Sequence, residues 1–235
     1  MIGSFLNVVI YRLPRGESVV RPGSHCPSCG HSLKAWDLVP IFSYLCLGGR
    51  CGYCTDKISP LYPLVEMLTA VGFFLIYLEF GNTMQAATGC LFTMILIVTA
   101  FTDINEGIIP DKVTYPGIVM GILLSPFTLG LKSSALGAIV FATIFLVTAL
   151  VSRGGMGGGD IKLAGVIGAF TGLTGAVQTL FISSFAGGLW ALLLISRGKA
   201  NRKTSIKFGP FLAVSGWLVW LYGGEILDLY RNFFI

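Results

Sequence analysis

The chain carries very little charge for its length. Only 11% of its 235 residues are charged, whereas 54% are hydrophobic, and the mean hydropathy is +0.80. Soluble domains carry roughly 25% charged residues, because their surfaces must be hydrated. The composition therefore excludes an ordinary soluble protein, and most of the chain must contact lipid.

Other features are also missing. There is no dense run of Lys or Arg, so the net charge of +5 predicts orientation in a membrane and affinity for anionic lipid, with no nucleic-acid binding. No glycine-rich nucleotide fingerprint follows a predicted strand. The N-terminal stretch has too little positive charge for a secretory signal peptide. Long low-complexity tracts and internal repeats are absent, and residues 197–207 are the only linker-like segment.

The hydrophobic runs have the length of membrane-spanning helices. They lack strict two-residue alternation, which favours helices over barrel strands as the way to pair backbone groups in hydrocarbon. The sequence predicts an all-α polytopic membrane protein, a bundle of about eight transmembrane helices with a short or truncated first helix at 1–13. The other predicted segments are 61–80, 85–102, 113–131, 135–151, 161–174, 176–195 and 208–222.

Basic residues orient these segments. If the loop at 12–59 is cytoplasmic, only Lys132 and Arg231 of the 16 Lys and Arg fall outside cytoplasmic stretches or their borders. The positive-inside rule requires such an asymmetry. We therefore expect a multi-pass protein whose residues near 103 and 160 lie at the cytoplasmic face.

Two aspartates lie at the ends of apolar or flexible stretches. Asp103 directly follows the apolar run 91–102, and Asp160 follows the glycine-rich run 154–159. Ionisable groups at a bilayer boundary are costly and tend to face partners or water. Two coupled carboxyl groups cannot both ionise easily, so one keeps a proton while the other can activate water, as in aspartic proteolysis. The alternative for Asp160 is an N-cap of a helix that begins at Ile161.

The neighbours of these aspartates carry further expectations. The glycines at 157–159 remove side chains around Asp160 and would let backbone or an extended substrate approach. Pro110 predicts a bend after Asp103, because proline is disfavoured inside a continuing helix. Asp111, beside Lys112, is expected to be a helix cap or part of a surface ion pair.

Two CxxC pairs lie in the predicted cytoplasmic loop. Four thiolates on two tight turns, 21 residues apart, match a tetrahedral zinc site with zinc-ribbon spacing. Disulfides are the alternative, disfavoured on the reducing side of the membrane. A loop of this size often needs a metal to fold, so the zinc is expected to be structural. The proposed ligands are Cys26, Cys29, Cys51 and Cys54.

The remaining cysteines and the histidines have simpler interpretations. Cys46 and Cys90 have no such partners and are expected to be small hydrophobic residues. His25 and His31 flank the first cysteine pair and could replace a ligand, but they are expected to be solvated. Glu66 is a third carboxylate inside an apolar segment, and the methyl-transfer site, a metal or a helix-to-helix hydrogen bond would each account for it.

Several motifs together resemble the bacterial type IV prepilin peptidases, which are GxGD-type intramembrane aspartic proteases. The resemblance spans almost the whole chain, and the motifs are much more specific jointly than any one alone. They are GSFLNVVIYRLP at 3–14, the paired CxxC turns, the stretch from Pro40 through Ser43-Tyr44 to Gly49-Arg50-Cys51, YPLVE at 62–66, Asp103-Ile104 with IPD at 109–111, GGGDIKL at 157–163 and FGPF at 208–211.

This resemblance implies a function for each part. Asp103 and Asp160 match the family's catalytic pair, which removes the short basic leader of type IV prepilins or pseudopilins after a glycine. Such precursors serve type IV pili or type II secretion, and the enzymes reside in the bacterial cytoplasmic (inner) membrane. Many bacterial members also methylate the new N-terminus with S-adenosyl-L-methionine. Members usually have a complete transmembrane helix before Gly3, whereas only Met1 and Ile2 precede it here.

The sequence predicts three regions: a partial first transmembrane helix at 1–13, a cytoplasmic four-cysteine zinc-binding loop domain at 14–60 and a transmembrane aspartic peptidase domain at 61–235.

Two alternative functions are an intramembrane aspartic protease for other substrates, without methyltransferase activity, and a transporter that uses buried carboxylates. The paired CxxC turns favour the prepilin peptidase over the first alternative. The expected location of both aspartates away from the midplane argues against the second.

Overall fold

The computed structural model describes residues 1–152, 156–198 and 207–234. The regular structure in these ranges is helical and contains no strand, which confirms the predicted all-α fold. Residues 153–155 and most of the expected linker at 197–207 lie outside the described ranges. The helices are α1 (Ile2–Arg12), α2 (Phe42–Cys46), α3 (Leu61–Phe80), α4 (Met84–Glu106), α5 (Asp111–Leu124), α6 (Leu131–Val151), α7 (Gly158–Ser196) and α8 (Gly209–Phe234).

Five of these helices, α3, α4, α6, α7 and α8, are long and apolar enough to cross a membrane. Helix α1, with 11 residues, and α5, with 14, are shorter. Helix α7 is broken at Gly172, where φ is 70°. This conformation suits glycine, and the break separates two halves that correspond to the predicted segments 161–174 and 176–195. The expected bundle is therefore present, with its first helix short.

Local sequence explains where α4 and α5 end. Gly107 follows α4 in the left-handed conformation, and its N–H donates to the Asp103 carbonyl at 2.9 Å, a common C-terminal cap. Pro110 then precedes α5, so the predicted bend after Asp103 is confirmed. Helix α5 ends at Leu124, because Ser125 and the following proline continue as a 3₁₀ turn. The predicted continuation to residue 131 was wrong.

Aromatic and small residues pack the bundle around α7. Phe92 of α4 stacks on Phe170 of α7 with ring centroids 4.6 Å apart, and Trp220 of α8 lies against both rings. Helices α6 and α7 cross at Gly137 and Gly168, where the backbones leave no room for a Cβ atom. Close helix contacts of this kind are typical of membrane bundles, where small residues allow tight van der Waals packing. The packing brings the ends of α4, α7 and α8 together.

Helix α1 packs on α3 and α4 through a separate apolar cluster. Leu6 and Ile10 of α1 are buried against Val65 of α3 and against Val98 and Phe101 of α4. The long loop at 13–60, which contains α2 and the four cysteines, follows α1 and leads into α3. The loop also contains two isolated β-bridges, one beside each cysteine pair.

Candidate active site

Asp103 lies in the last turn of α4 and is buried, with 7% of its surface exposed. One carboxylate oxygen, Oδ2, is buried and has no hydrogen-bond partner among the described residues. Lys207, just before α8, donates from Nζ to the backbone carbonyl of Ile104 at 2.7 Å. An orphaned carboxylate oxygen in a buried position is costly, and it is often explained by a catalytic role or a bound water.

Asp160 is the third residue of α7 and is also buried, with 9% exposed. The helix begins at Gly158 and its N-cap residue is Gly157, so the alternative assignment of Asp160 as an N-cap is wrong. Its carboxyl group is close enough to Asp103 for the charge of one to act on the other. The two aspartates are 57 residues apart in sequence, and the fold places both in one small region.

Two glycines allow close packing near the aspartates. A Cβ atom on Gly209 would lie 2.7 Å from Asp103 Oδ2, and one on Gly159 would lie 2.8 Å from Cβ of Ile109. Ile109 also lies beside Gly209, since a Cβ there would be 3.2 Å from Ile109 Cδ1. Gly209 therefore leaves room for the Asp103 carboxyl group, and Ile109 packs closely against both Gly209 and Gly159.

The three glycines before Asp160 differ in their surroundings. Among the described residues, which leave out 153–155, a Cβ on Gly158 would meet nothing within 4 Å, and one on Gly157 would meet only Asp160 Oδ2 at 3.9 Å. The expected close approach is therefore present at Gly159, where the approaching group is Ile109 of the same chain. The Asp160 carboxyl group lies beside Gly157, and no described atom lies close to the Cβ position of Gly158.

An ion pair links α5 to α7, the helix that carries Asp160. Asp111, the first residue of α5, accepts from Lys162 Nζ at 2.5 Å, and both side chains are partly exposed. The expected surface pair for Asp111 is therefore present, with Lys162 as its partner instead of Lys112. The pair links the start of α5 to the start of α7, two residues after Asp160.

The four cysteines of the loop form a compact cluster. Their sulfur atoms all lie within 4.8 Å of one another, and the Sγ atoms of Cys26 and Cys54 are 3.8 Å apart. A tetrahedral zinc with Zn–S bonds of about 2.3 Å requires sulfur separations of roughly 3.8 Å. All four thiols are free, so neither CxxC pair forms a disulfide. The cluster could hold a metal ion.

Two similar turns build this cluster. The N–H of Cys26 donates to the His31 carbonyl at 2.9 Å, and the N–H of Cys51 donates to the Asp56 carbonyl at 2.8 Å. The residue after each CxxC has positive φ: Gly30 at 70° and Thr55 at 63°. The two turns therefore share the same backbone conformation, and their thiols face one another.

The backbone also affects the thiols. The N–H of Cys29, opposed by burial, lowers the pKa of the Cys26 thiol to about 6, so that thiolate is favoured at neutral pH. The N–H of Asp56 favours the Cys54 thiolate, but burial and the neighbouring thiols outweigh it and raise the Cys54 pKa to about 12. Cys26 is therefore the thiolate best prepared to bind a cation.

The histidines and other cysteines do not join the cluster. The His31 ring stacks on Tyr53 with centroids 3.6 Å apart, and His25 Nδ1 lies 3.0 Å from the Gly23 carbonyl oxygen. Both histidines are exposed at the surface of the loop, as expected. The His31–Tyr53 stack joins one cysteine turn to the other. Cys46 is exposed and Cys90 is half-buried.

Glu66 joins three parts of the N-terminal region. Its Oε1 accepts from Ser4 Oγ of α1 at 2.5 Å, and its Oε2 accepts from the backbone N–H of Ile41 at 2.8 Å. The helix-to-helix hydrogen bond expected as one alternative is therefore present. The bond to Ile41 had no signal in the sequence, because it depends on how the loop folds back onto α1 and α3.

Arg12 is a further residue that sequence reasoning did not single out. Its side chain is buried, with 6% exposed, and donates to the carbonyls of Ser18, Pro22 and Gly23 at 2.7–3.1 Å. A guanidinium can satisfy several carbonyls because it presents five N–H groups in a fixed plane. Arg12 thereby fixes the start of the long loop to the end of α1.

The fold and this site define a polytopic membrane protein with two adjacent buried aspartates and a four-cysteine loop. Comparison with known families assigns residues 1–80 to the bacterial peptidase A24 N-terminal domain and residues 90–192 to the type IV leader peptidase family. The chain belongs to the type IV leader peptidase family. No solved structure matches it significantly.

Curated relatives match over nearly the whole chain. A prepilin leader peptidase/N-methyltransferase of Pseudomonas aeruginosa is 32% identical, over 99% of this chain and 91% of the relative. The protein of the same name in Neisseria gonorrhoeae is 35% identical, over 93% and 86%. That of Bacillus subtilis is 33% identical, over 98% and 94%.

Proposed function

We propose that this protein is an aspartic endopeptidase that removes the leader peptide of type IV prepilins or pseudopilins, and that Asp103 and Asp160 are its catalytic pair. The observation that carries the proposal is the convergence of two buried carboxyl groups from distant parts of the chain. The names of the curated relatives support the substrate class.

The chemistry follows from two coupled carboxyl groups. One stays protonated and donates to the oxygen of the scissile carbonyl, while the other, ionised, removes a proton from a water molecule that attacks the carbonyl carbon. The tetrahedral intermediate then breaks at the C–N bond, and the released amine takes up a proton. Within the described part of the chain, Asp103 Oδ2 has no hydrogen-bond partner, so this oxygen can exchange a proton or a hydrogen bond with a reacting group once substrate and water enter the site.

The catalytic pair is proposed to lie at the cytoplasmic side of the bacterial inner membrane. Asp103 and Asp160 lie near the ends of α4 and α7, and the distribution of Lys and Arg supports this orientation. A short basic leader would be accessible there, since it stays on the side where the precursor is made. A carboxylate pair near helix ends fits a protease acting at the membrane boundary better than a transport path through the midplane.

We further propose that the cysteine cluster binds one structural zinc ion. The sulfur separations are close to those of a tetrahedral site with four thiolates, and the loop has little other regular structure to hold its shape. Cys26, Cys29, Cys51 and Cys54 would be the ligands. Bound zinc would cross-link the two turns that begin and end the segment around α2.

A second activity, N-methylation of the new N-terminus with S-adenosyl-L-methionine, is proposed from the names of the relatives. Methylation requires the free amine that cleavage releases. The cysteine loop lies in the N-terminal region and the two aspartates lie at the ends of α4 and α7, so the two activities should be separable by mutation.

The decisive experiment combines purified protein with a pilin-like precursor and S-adenosyl-L-methionine. Mass spectrometry should find a product that is shortened by its leader and cut after a glycine, and whose mass is raised by one CH2 because a methyl group replaces a hydrogen. An intact precursor after prolonged incubation would contradict the proposed peptidase. Shortened but unmethylated product would remove only the second activity.

A rescue experiment separates the two activities. Asp103→Asn should neither cleave nor methylate a full precursor, but it should methylate a pilin supplied already cleaved. Cys26→Ser with Cys29→Ser should lose methylation more severely than cleavage, because disorder in the loop need not spread into the bundle. Failure of the Asp103→Asn protein to methylate cleaved pilin would contradict two separable sites.

A further inference from the structure

The segment between the two cysteine turns is mostly apolar. Asp37 is its only charged residue from Trp36 to Gly49. Three large side chains here are nevertheless exposed: Trp36 by 81%, Phe42 by 69% and Leu45 by 67%. A water-exposed loop rarely presents so much apolar surface over so short a stretch, so the surface needs a partner.

The segment between the two cysteine turns does not lie beyond the ends of α1 and α3. It lies alongside these two helices. The Leu38 carbonyl is 3.4 Å from Ser4 Oγ, and the Ile41 N–H donates to Glu66. Glu66 is five residues into α3, which is about 7.5 Å along the helix at about 1.5 Å per residue. Ser4 is eight residues before the end of α1, or about 12 Å. The contacts therefore lie at a depth where α3 already runs through the membrane.

Backbone groups at this depth need protein partners, because lipid offers none. Ile41 has φ 64° and ψ −49°, and the N–H of Phe42 donates to the Pro40 carbonyl at 2.6 Å, which forms a tight three-residue turn. Such a conformation is strained for a β-branched residue. Glu66 accepts the Ile41 N–H that this turn would otherwise leave without a partner. Ser4 and Glu66 thus let the chain turn next to the membrane-spanning helices.

The surroundings favour lipid over protein as the partner. Leu64 and Met67, on either side of Glu66, are themselves exposed on a helix long enough to span the membrane. The apolar segment is continuous with that surface through the Ile41–Glu66 bond. Basic residues, Lys34, Arg50 and Lys57, flank the segment on both sides, and all three are exposed. Flanking cations match the anionic headgroups of a bacterial leaflet.

We propose that residues 36–47 insert into the leaflet at which α3 begins, with Trp36, Phe42 and Leu45 in contact with lipid. The proposal does not depend on the proposed peptidase activity. In this proposal, the loop at 14–60 is not fully cytoplasmic, because part of it enters the membrane interface. Because aromatic side chains favour the membrane interface, Trp36 is the natural reporter of this insertion.

The test measures the depth of Trp36 in vesicles of phosphatidylethanolamine and phosphatidylglycerol. The chain has four tryptophans, so the signal of Trp36 is the difference between the spectra of the wild type and Trp36→Phe. This substitution keeps an aromatic ring and leaves the core tryptophans unchanged. Quenching is compared for acrylamide in water and for lipids brominated on the acyl chain.

Two reference variants calibrate the result. The same difference for Trp190→Phe reports an exposed residue of α7, which is expected to face lipid. The variant Glu17→Trp reports an exposed position in the loop outside the apolar segment. Brominated lipid should quench Trp36 to an extent comparable with Trp190, and acrylamide should quench it severalfold less than the tryptophan of Glu17→Trp.

Other outcomes overturn the proposal. Quenching of Trp36 by acrylamide as strong as that in the Glu17→Trp variant, with no effect of brominated lipid, would place the segment in water. Protection of Trp36 from acrylamide only after a pilin precursor is added would make the segment a protein-docking surface instead. As a second measurement, Phe42→Ser with Leu45→Ser should weaken the quenching of Trp36 by brominated lipid, and unchanged quenching would also contradict insertion.

Discussion

Replacement of Gly209 by alanine should reduce leader cleavage about ten- to hundredfold without unfolding the bundle. The new Cβ would lie 2.7 Å from Oδ2 and 3.1 Å from Cγ of Asp103, whereas ordinary contacts begin near 3.4 Å. The Asp103 carboxyl group must therefore move by about 0.7 Å. Misplacement of a reacting group by about 1 Å can cost on the order of a hundredfold in rate. The expected loss corresponds to about 1.4–2.7 kcal/mol of transition-state stabilisation.

Gly224→Ala is the matched control, because Gly224 lies in the same helix, α8, away from the aspartates. A Cβ at Gly224 would meet no described atom within 4 Å, and alanine is favoured over glycine in a helix by about 1 kcal/mol. This variant should cleave at nearly the wild-type rate and unfold at an equal or higher temperature. The assay is the initial rate of precursor cleavage on a gel, with thermal unfolding in detergent as the check of folding. Equal rates for folded Gly209→Ala and Gly224→Ala would refute a catalytic role for the Asp103 carboxyl group.

Three further predictions concern the loop. Thr55→Gly should tighten zinc binding several-fold, because glycine adopts φ 63° without the roughly 1 kcal/mol of strain that threonine bears. Zinc affinity is measured by competition with a chelator, and weaker binding by the variant would contradict this prediction. In limited proteolysis, Arg12→Lys should be cut faster than the wild type within the loop at 13–24, because an ammonium group cannot bond the three carbonyls that the guanidinium bonds. Proteolysis of this loop at the wild-type rate would contradict the role of Arg12. Zinc affinity should fall as the pH drops, because zinc displaces the proton of Cys54, whose pKa is about 12, and it should fall more steeply below about 6, where Cys26 also takes up a proton; an equal slope on both sides of pH 6 would oppose Cys26 as a ligand.

The helical bundle was predictable because its signals are local. Helix α3 was predicted with its observed bounds, Leu61–Phe80, since it is one apolar run with turn residues on both sides. The end of α5 was not predicted correctly, because the apolar run continues past Leu124 and only Pro126 marks the change to a 3₁₀ turn. Hydrophobicity alone therefore locates a helix better than it locates its end.

The candidate site was predictable in part, from residue types in specific motifs. Asp103 and Asp160 were singled out by their motifs, and the clustering of the cysteines followed from their spacing. The fit of Gly209 against Asp103 was not foreseen, because it joins parts of the chain that are far apart in sequence. Glu66 was noticed as a carboxylate in an apolar helix, but its bond to Ile41 depends on the folding of a loop that has few local signals.

Asp103 and Asp160 are proposed to carry out peptide cleavage together. The direct test is cleavage of a pilin precursor by purified Asp103→Asn and Asp160→Asn proteins, each shown by thermal unfolding to be folded. An amide keeps the shape of the carboxyl group but cannot exchange a proton in the required way, so both variants should lose cleavage by roughly a thousandfold or more. Both should retain wild-type zinc content. Cleavage at or near the wild-type rate by either folded variant would contradict the assignment.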